Sequence, residues 1–309
     1  MTPAAPPARL LIVLAFAAIY LIWGSTFLAI AWAIDTIPPL LTMGIRFTVS
    51  GALLFGYGYR RSQGYWPSAG QWGWAAVAGF LMIFIDYGAL SWAEQYVPSG
   101  VASVILATTP IWLVLLDGPQ RAQLFRSPLL AAGILGGLLG VWLIYSGSRQ
   151  AVPPTGLAAT RYGLGMLALL LSALSWAVGT LVYRDRNGSI NIPTRMGMQM
   201  LVGGGLLLVV SGLAGEWHSV RPDQITATSV YSLLYLIVFG TLVAHTAYLW
   251  LMQVQPPALV GTYAYVNPVV ALLLGWGLDG EPLTALIGLA TLIILGAVVL
   301  IKRAGPPTD

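Results

Sequence analysis

The feature that most constrains this sequence is a series of long, uninterrupted apolar runs. An α-helix needs about 20 predominantly apolar residues to cross the hydrocarbon core of a bilayer. Ten runs of about this length can be marked, at residues 10–34, 38–59, 70–93, 98–116, 128–146, 162–183, 193–213, 228–252, 257–277 and 283–301. The runs are continuously apolar and lack the alternation of period two that is typical of a membrane β-barrel. They therefore predict membrane-spanning helices.

Charge content supports the same conclusion. Only 8% of the 309 residues are charged, whereas a typical soluble domain has about 25%. So few charges do not cover the surface of a soluble protein, and lipid must be the solvent for most of the chain. The sequence contains no cysteine, which excludes disulfides and thiolate metal sites. No basic run with interleaved aromatic residues indicates nucleic-acid binding. The predicted fold class is an all-α integral membrane protein.

The basic residues of the loops predict an orientation, because cytoplasmic loops carry an excess of Lys and Arg. Nine lie on the side of the N-terminus, namely Arg9, Arg60, Arg61, Arg121, Arg126, Arg184, Arg186, Lys302 and Arg303. Three lie on the other side, namely Arg149, Arg161 and Arg221. We therefore expect both termini in the cytoplasm.

The runs divide into two sets of five, 10–146 and 161–301, joined by a linker at 147–160. A shift of 158 positions pairs residues of the same type, Trp92 with Trp250, Gln95 with Gln253 and Pro110 with Pro268. Five is an odd number, so the second set must enter the membrane upside down. The sequence thus predicts ten transmembrane helices arranged as two inverted five-helix repeats, which are typical of secondary transporters.

Several short motifs carry a resemblance to a known family. They are Trp23-Gly24-Ser25 in the first run, Tyr87-Gly88-Ala89-Leu90 in the third, Asn267-Pro268-Val269 in the ninth, and Gly280-Glu281-Pro282-Leu283 before the tenth. With the order of the ten runs, each half resembles the five-helix EamA-type unit of the drug/metabolite transporter superfamily. Within it, the chain is most similar to the bacterial inner-membrane exporters of aromatic amino acids.

This resemblance implies a multi-pass protein of the bacterial inner membrane that acts as a secondary transporter. Its expected function is to export small metabolites, above all aromatic or large apolar amino acids, by alternating access and without a cofactor. The alternative is a drug or cation exporter of the same fold. No lysine lies inside a predicted span, which disfavours phosphorylated sugars as substrates, because their phosphates need fixed cations.

Two ionisable residues in the predicted spans are the leading candidates for function. Asp86 lies deep in the third run, where a carboxylate costs about 2.5–3.5 kcal/mol on insertion scales. It can be a cavity-facing acid that binds a coupling proton or a substrate ammonium, or a protonated or paired residue that packs helices. His245 lies at similar depth in the eighth run. It can carry a proton, because imidazole titrates near neutral pH, or bond across helices as a neutral group.

Further residues are predicted to line a substrate cavity, with helix packing as the alternative for each. Tyr87 matches His245 under the shift of 158, and Tyr248 shares a helical face with His245. The complete set of predicted cavity residues is Trp23, Asp86, Tyr87, Ser91, Trp176, His245, Tyr248, Tyr263 and Asn267.

Two prolines interrupt apolar runs at matching positions of the two halves. Pro110 and Pro268 each remove a backbone donor and free a carbonyl four residues earlier. In a membrane such a carbonyl needs a partner or a water-lined cavity. The prolines are predicted hinges for alternating access, or static kinks that packing tolerates.

Two charged residues are predicted to have structural roles. Arg46 lies about two turns inside the second run and is expected to pair with Glu281 or Glu94. Glu281 precedes Pro282 and would stabilise the start of the last helix through its dipole.

Catalysis finds no support, because the sequence has no HExxH, P-loop or CxxC motif. We therefore predict no enzyme, no metal and no cofactor. The expected partners are a small-molecule substrate, the lipid bilayer and a coupling proton.

Overall fold

The computed structural model describes residues 9–117, 127–151, 156–183, 190–255, 260 and 262–304. All regular structure in these ranges is helical, so the predicted all-helical class is confirmed. Residues 152–155 of the predicted linker and 257–259 at the start of the ninth predicted run lie outside the described residues.

The helices follow the apolar runs closely. They are α1 (Arg9–Ile34), α2 (Pro39–Arg61), α3 (Ala69–Ala93), α4 (Ser99–Leu116), α5 (Pro128–Ala151), α6 (Leu157–Tyr183), α7 (Ile192–Leu213), α8 (Ala227–Met252), α9 (Tyr263–Asp279) and α10 (Ala285–Ala304). The first eight contain stretches long and apolar enough to cross a membrane, and α9 and α10 contain the shorter apolar helices Val266–Asp279 and Ala285–Ile301.

Local sequence signals explain where several helices begin and end. The hydroxyl of Ser68 accepts from Gln71 N, and the Gln71 side chain accepts from Ser68 N, which forms a capping box at the start of α3. The Asn191 side chain accepts from Thr194 N and caps α7. After α9, Gly280 adopts a left-handed conformation with φ of 67°, which glycine tolerates best.

The helices pack mainly across the boundary between the two predicted halves. Helix α2 lies along α7, and α5 lies along α10. Helix α1 contacts α8 and α9, while α6 contacts α3 and α4. The counterparts of α1, α8 and α9 in the other half are α6, α3 and α4. The contacts of α1 with α8 and α9 therefore correspond to those of α6 with α3 and α4.

Small residues bring α2 and α7 into close contact. A Cβ atom added to Gly204 would lie 2.6 Å from Thr48 N, and one added to Gly51 would lie 2.8 Å from Leu201 N. Both distances are shorter than a van der Waals contact, and the atoms they meet belong to the backbone. Glycine at these positions therefore sets the spacing of the two helices.

Three helices contain a π-helical stretch. The stretches are Ala18–Ile22 in α1, Phe80–Ile85 in α3 and Leu236–Val243 in α8. Each ends one or two residues before a predicted cavity residue, namely Trp23, Asp86 and His245. A π-helical turn disturbs the regular backbone ladder and frequently marks a functional site.

We expect Gly204→Ala to lower the free energy of unfolding by about 1–3 kcal/mol, because the new methyl group overpacks the contact between α2 and α7. Gly205→Ala is the matched control, since a Cβ atom there meets nothing within 4 Å. The control should be neutral or stabilising by about 0.5–1 kcal/mol through helix propensity. Thermal unfolding in detergent measures both, and equal melting temperatures would contradict the close packing.

Candidate functional site

A central cavity of about 550 Å³ lies between the two predicted halves. Its lining comes from α1, α2, α3 and α4 on one side and from α6, α7, α8 and α9 on the other. Eight of the nine predicted cavity residues line it, namely Trp23, Asp86, Tyr87, Trp176, His245, Tyr248, Tyr263 and Asn267. The tertiary structure thus brings together side chains that are far apart in sequence.

Ser91 is the ninth predicted residue, and it does not belong to the described lining. Its side chain is fully buried, and its hydroxyl donates to Gly88 O of the same helix at 3.3 Å. The prediction is corrected for a simple reason. A serine in a membrane helix satisfies its hydroxyl on a nearby backbone carbonyl, so it needs no cavity.

Trp23, His245, Tyr248 and Tyr263 form an aromatic cluster on one wall of the cavity. The Trp23 ring centroid lies 5.2 Å from that of His245, 5.4 Å from that of Tyr248 and 4.9 Å from that of Tyr263. These separations are those of favourable aromatic pairs. Trp23 Nε1 donates to Gly240 O at 3.1 Å, a carbonyl within the π-helical stretch of α8. The cluster therefore presents fixed aromatic surface to the cavity.

Asp86 lines the cavity from α3 and is only 4% exposed. Its carboxylate accepts a hydrogen bond from the Ser172 hydroxyl of α6. Nearby, the Ser175 hydroxyl donates to Leu81 O at 2.7 Å, within the π-helical stretch of α3. Two serines of α6 thus hold both the carboxylate and the irregular backbone that precedes it.

Arg46 also lines the cavity, and of its two expected partners Glu94 lies within electrostatic reach without forming a direct ion pair. The Nε atom donates to Thr241 Oγ1 of α8 at 3.1 Å, and no carboxylate of the described residues forms an ion pair with the guanidinium. The expected partner Glu281 is engaged elsewhere. The distance along α2 explains the difference, since Arg46 faces the middle of α8 rather than a helix end.

Two carboxylates hold one end of the bundle, here called the acidic end and defined by Glu216 and Glu281. Glu281 accepts from Ser99 N at 2.6 Å and Gly100 N at 2.9 Å. It therefore stabilises the N-terminus of α4. The sequence had predicted this role for the N-terminus of α10, and that prediction is wrong. Helix α10 begins only at Ala285, so the Glu281 side chain is free to turn toward α4.

Glu216 stabilises the N-terminus of α2 in the same way. It accepts from Leu41 N at 2.9 Å and from Leu40 N at 3.4 Å. A carboxylate at a helix N-terminus is stabilised by the dipole and by charge-assisted hydrogen bonds. Sequence reasoning missed this residue, because its partners are about 175 positions away.

Glu94 lies at the acidic end, one residue beyond α3. It is buried, and neither carboxyl oxygen has a hydrogen-bond partner among the described residues. Burial, reinforced by the nearby Glu281 carboxylate and opposed by Arg46, raises the pKa of Glu94 well above its usual range. This side chain is therefore better suited to a neutral carboxyl group than to a charged one.

Pro110 lies where α4 is broken into the segments Ser99–Leu106 and Thr109–Leu116. It occupies the first turn of the second segment, where its missing N–H is not needed. The Thr109 hydroxyl donates to Leu106 O at 2.7 Å. The carbonyl that the proline leaves free thus has a partner inside the bundle.

Pro268 lies inside α9, which continues through it. The preceding residue Asn267 lines the cavity. With its amide nitrogen turned toward the two carbonyls, Asn267 donates to Tyr20 O at 3.2 Å and Tyr263 O at 3.1 Å. Its side chain thereby ties α9 to α1 next to the aromatic cluster.

Several cavity residues were not predicted, above all Arg195 and Gln199 of α7. They stand four positions apart and so share one face of the helix. A shift of 153 positions aligns Gln199 with Arg46, and this match was the signal that could have identified it. The lining also includes Tyr183 and Ile192, where α6 ends and α7 begins. The cavity therefore reaches the end of the bundle that lies opposite the acidic end.

A second hollow of about 580 Å³ lies between α4, α5 and α6. Its lining is almost entirely apolar, and Trp142 and Leu167 within it are 61% and 62% exposed. Such a surface suits lipid chains, so the central cavity is the better candidate for a polar ligand. Among the described residues, no cluster of acidic residues and histidines could hold a metal ion.

A helical bundle with a central cavity lined by both halves is typical of membrane transporters. The sequence profile of the EamA-like transporter family matches residues 10–146 and 163–303. The chain belongs to this family.

Curated relatives cover nearly the whole chain. The Escherichia coli (strain K12) protein called "Uncharacterized inner membrane transporter YedA" is 35% identical over 288 residues, which span 92% of this chain and 88% of the relative. "Protein PecM" of Dickeya dadantii (strain 3937) is 27% identical over 291 residues, 91% of each chain. One protein of known crystal structure superposes with a TM-score of 0.62 over 96% of this chain and 98% of its own, at 22% identity. That likeness concerns the fold alone.

We expect Glu281→Gln to lower the free energy of unfolding by about 1–2 kcal/mol, because it removes the charge that caps α4. Glu94→Gln is the matched control at the same end of the bundle. It replaces a buried carboxyl group that has no hydrogen bond, so we expect no loss at neutral pH. Thermal unfolding in detergent compares the two variants. A larger loss for Glu94→Gln than for Glu281→Gln would contradict these assignments.

Proposed function

We propose that the protein is a secondary exporter of small metabolites, with aromatic or large apolar amino acids as its substrates. The observation that carries the proposal is the central cavity. It combines an aromatic wall with a carboxylate and a guanidinium, and it reaches the end of the bundle that lies opposite the acidic end. A substrate site enclosed between two halves is what alternating access requires.

The ten-helix inverted repeat is part of this proposal. The family profile matches the chain twice, at 10–146 and 163–303, close to the two predicted halves. Helix α2 packs with α7, and α5 packs with α10. Each pair joins the same helix of the two halves, the second in one case and the fifth in the other. Both observations support a twofold axis in the plane of the membrane.

The orientation follows from the loop charges. Nine basic residues against three support a cytoplasmic location of both termini, and the relative YedA is named an inner membrane transporter. With this orientation the acidic end faces the periplasm, and the cavity faces the cytoplasm. The structure then corresponds to a state that loads substrate from the cytoplasm, as an exporter must.

The transport cycle requires the acidic end to open. The contacts between the halves at this end include the hydrogen bonds of Glu216 and Glu281 to helix N-termini, beside packed apolar side chains such as Val101. Such bonds can be exchanged for water at modest cost. Pro110 and Pro268 are the proposed hinges, since each lies at an interruption of the regular backbone ladder beside the cavity.

In the proposed complex, the aromatic cluster packs against the substrate side chain, and Asp86 faces the substrate ammonium. Asp86 and His245 are also the candidates for binding a coupling proton, because both are ionisable and line the cavity.

Transport by the purified protein in liposomes tests the proposal. Vesicles should exchange labelled phenylalanine or tryptophan faster than vesicles without protein, and a proton gradient should drive accumulation if a proton is coupled. If the protein transports no amino acid in a full panel, the proposed substrate class is wrong.

The alternative is a drug or cation exporter, and buried Asp86 is the observation that favours it. Asp86→Asn removes the charge and keeps the shape of the side chain. For a lipophilic cation we expect at least about a tenfold loss of transport, because a charged hydrogen bond contributes about 1.5–3 kcal/mol. Phenylalanine transport that survives in the variant while cation transport disappears would support the alternative. Ser175→Ala, which alters a neighbouring contact of α6, is the control.

A further inference from the structure

Arg46 carries a charge that forms no direct ion pair with a carboxylate of the described residues, and the carboxyl group that it senses electrostatically, Glu94, is the one better suited to the neutral form. The side chain is 1% exposed, yet it lines the central cavity. A guanidinium has five N–H donors. Here Nε reaches Thr241 Oγ1 at 3.1 Å, and Nη1 reaches Met43 Sδ at 3.9 Å, a weak acceptor. Nη2 has no acceptor among the described residues.

Two aromatic rings stabilise the cation without filling its donor positions. The Arg46 Cζ atom lies 4.8 Å from the Phe47 ring centroid and 5.2 Å from the Tyr87 ring centroid. Cation–π contacts engage the face of the guanidinium. The N–H groups lie in its plane and match the two oxygens of a carboxylate. An unpaired charge inside a membrane protein is costly, so an anion from the cavity would complete the site.

The position of Arg46 links it to the aromatic cluster. Arg46 binds Thr241, and Trp23 Nε1 binds the carbonyl of the preceding residue, Gly240. A Cβ atom on Gly240 would lie 3.4 Å from Arg46 Nη2. The guanidinium and the indole therefore flank the same two residues of α8. A small molecule with an acid group at Arg46 would place its remaining atoms against Trp23.

The charge balance of the cavity points the same way. Its described lining contains two arginines, Arg46 and Arg195, and one acidic residue, Asp86. A cationic ligand would gain only Asp86 and would be repelled by the positive charge of Arg46. A zwitterion can satisfy Asp86 and Arg46 together, and an organic acid can satisfy Arg46.

We propose that Arg46 binds the carboxylate of the transported substrate, so that the protein selects compounds that carry an acid group beside an aromatic or apolar body. This inference rests on the proposed function, because it takes the central cavity as the substrate site. It goes further by assigning the anion-binding residue and by requiring a carboxylate in every substrate.

Binding to the unmodified protein in detergent, measured by calorimetry, tests the requirement directly. The ligands are phenylalanine, phenylalaninamide, which lacks the carboxylate, and 3-phenylpropionate, which lacks the ammonium. Phenylalanine and 3-phenylpropionate should bind, and phenylalaninamide should bind at least about tenfold more weakly, because a charge-assisted hydrogen bond is lost. Equal binding of phenylalanine and its amide would overturn the inference, as would no binding of either carboxylate.

Variants assign the effect to Arg46. Arg46→Gln should weaken both carboxylates at least about tenfold and leave phenylalaninamide unchanged, and Arg46→Lys should restore part of the affinity. A merely structural role would weaken all three ligands alike. Arg61→Gln is the control, because this arginine lies exposed at the end of α2 and its hydrogen bond within the described part of the chain goes to Tyr57 of the same helix. If Arg46→Gln does not fold, the comparison of ligands on the unmodified protein decides whether the site requires a carboxylate, and Arg46→Lys decides whether Arg46 supplies the contact.

The outcomes separate this inference from the proposed function. Binding of 3-phenylpropionate without phenylalanine would uphold the role of Arg46 and remove amino acids as substrates. Transport of phenylalanine together with equal binding of its amide would uphold the exporter and overturn the role of Arg46.

Discussion

The structure depends on one constraint, which is that a backbone carbonyl or N–H in lipid has no water to bond. Regular helices satisfy these groups internally, so a departure from a regular helix needs another partner, which is a side chain of a second helix or a nearby side chain of the same helix. The departures here are satisfied in that way. Trp23 bonds to the π-helical stretch of α8, Ser175 to that of α3, and Thr109 to the broken turn of α4. Because partners on a second helix exist only inside the bundle, the irregular segments gather around the cavity.

The same constraint separates permanent contacts from those that can change. Helices α2 and α7 approach so closely at Gly51 and Gly204 that their contact consists of packed backbone, which cannot slide without clashes. The acidic end has, besides its apolar packing, contacts of a second kind. There Glu216 and Glu281 bond to helix N-termini near the predicted membrane surface, where water can replace them. A bundle with a rigid seam and an exchangeable seal is suited to rocking motions between its halves.

Much of the site could be predicted, because a polar or aromatic residue in the middle of an apolar run needs a reason to be there. Asp86, His245 and the residues around them were identified by this argument and line the cavity. The prediction for Ser91 was wrong because its small hydroxyl donates a hydrogen bond to a backbone carbonyl of its own helix. The predicted ion pair of Arg46 and Glu281 was wrong for another reason. Their charges suggested a pair, but which groups meet depends on depth along each helix and on helix rotation, neither of which hydrophobicity encodes.

The sequence by itself determined the helical class, the positions of the helices and the residues that lipid would not tolerate, since these follow from the free energy of transfer along the chain. The tertiary structure decided which of these residues meet. It placed Arg46 between Phe47, Tyr87 and Thr241 rather than beside a carboxylate, and it moved the helix-capping role of Glu281 to α4. Contacts between residues some 200 positions apart are fixed by packing between helices, and packing depends on shape rather than on hydrophobic pattern.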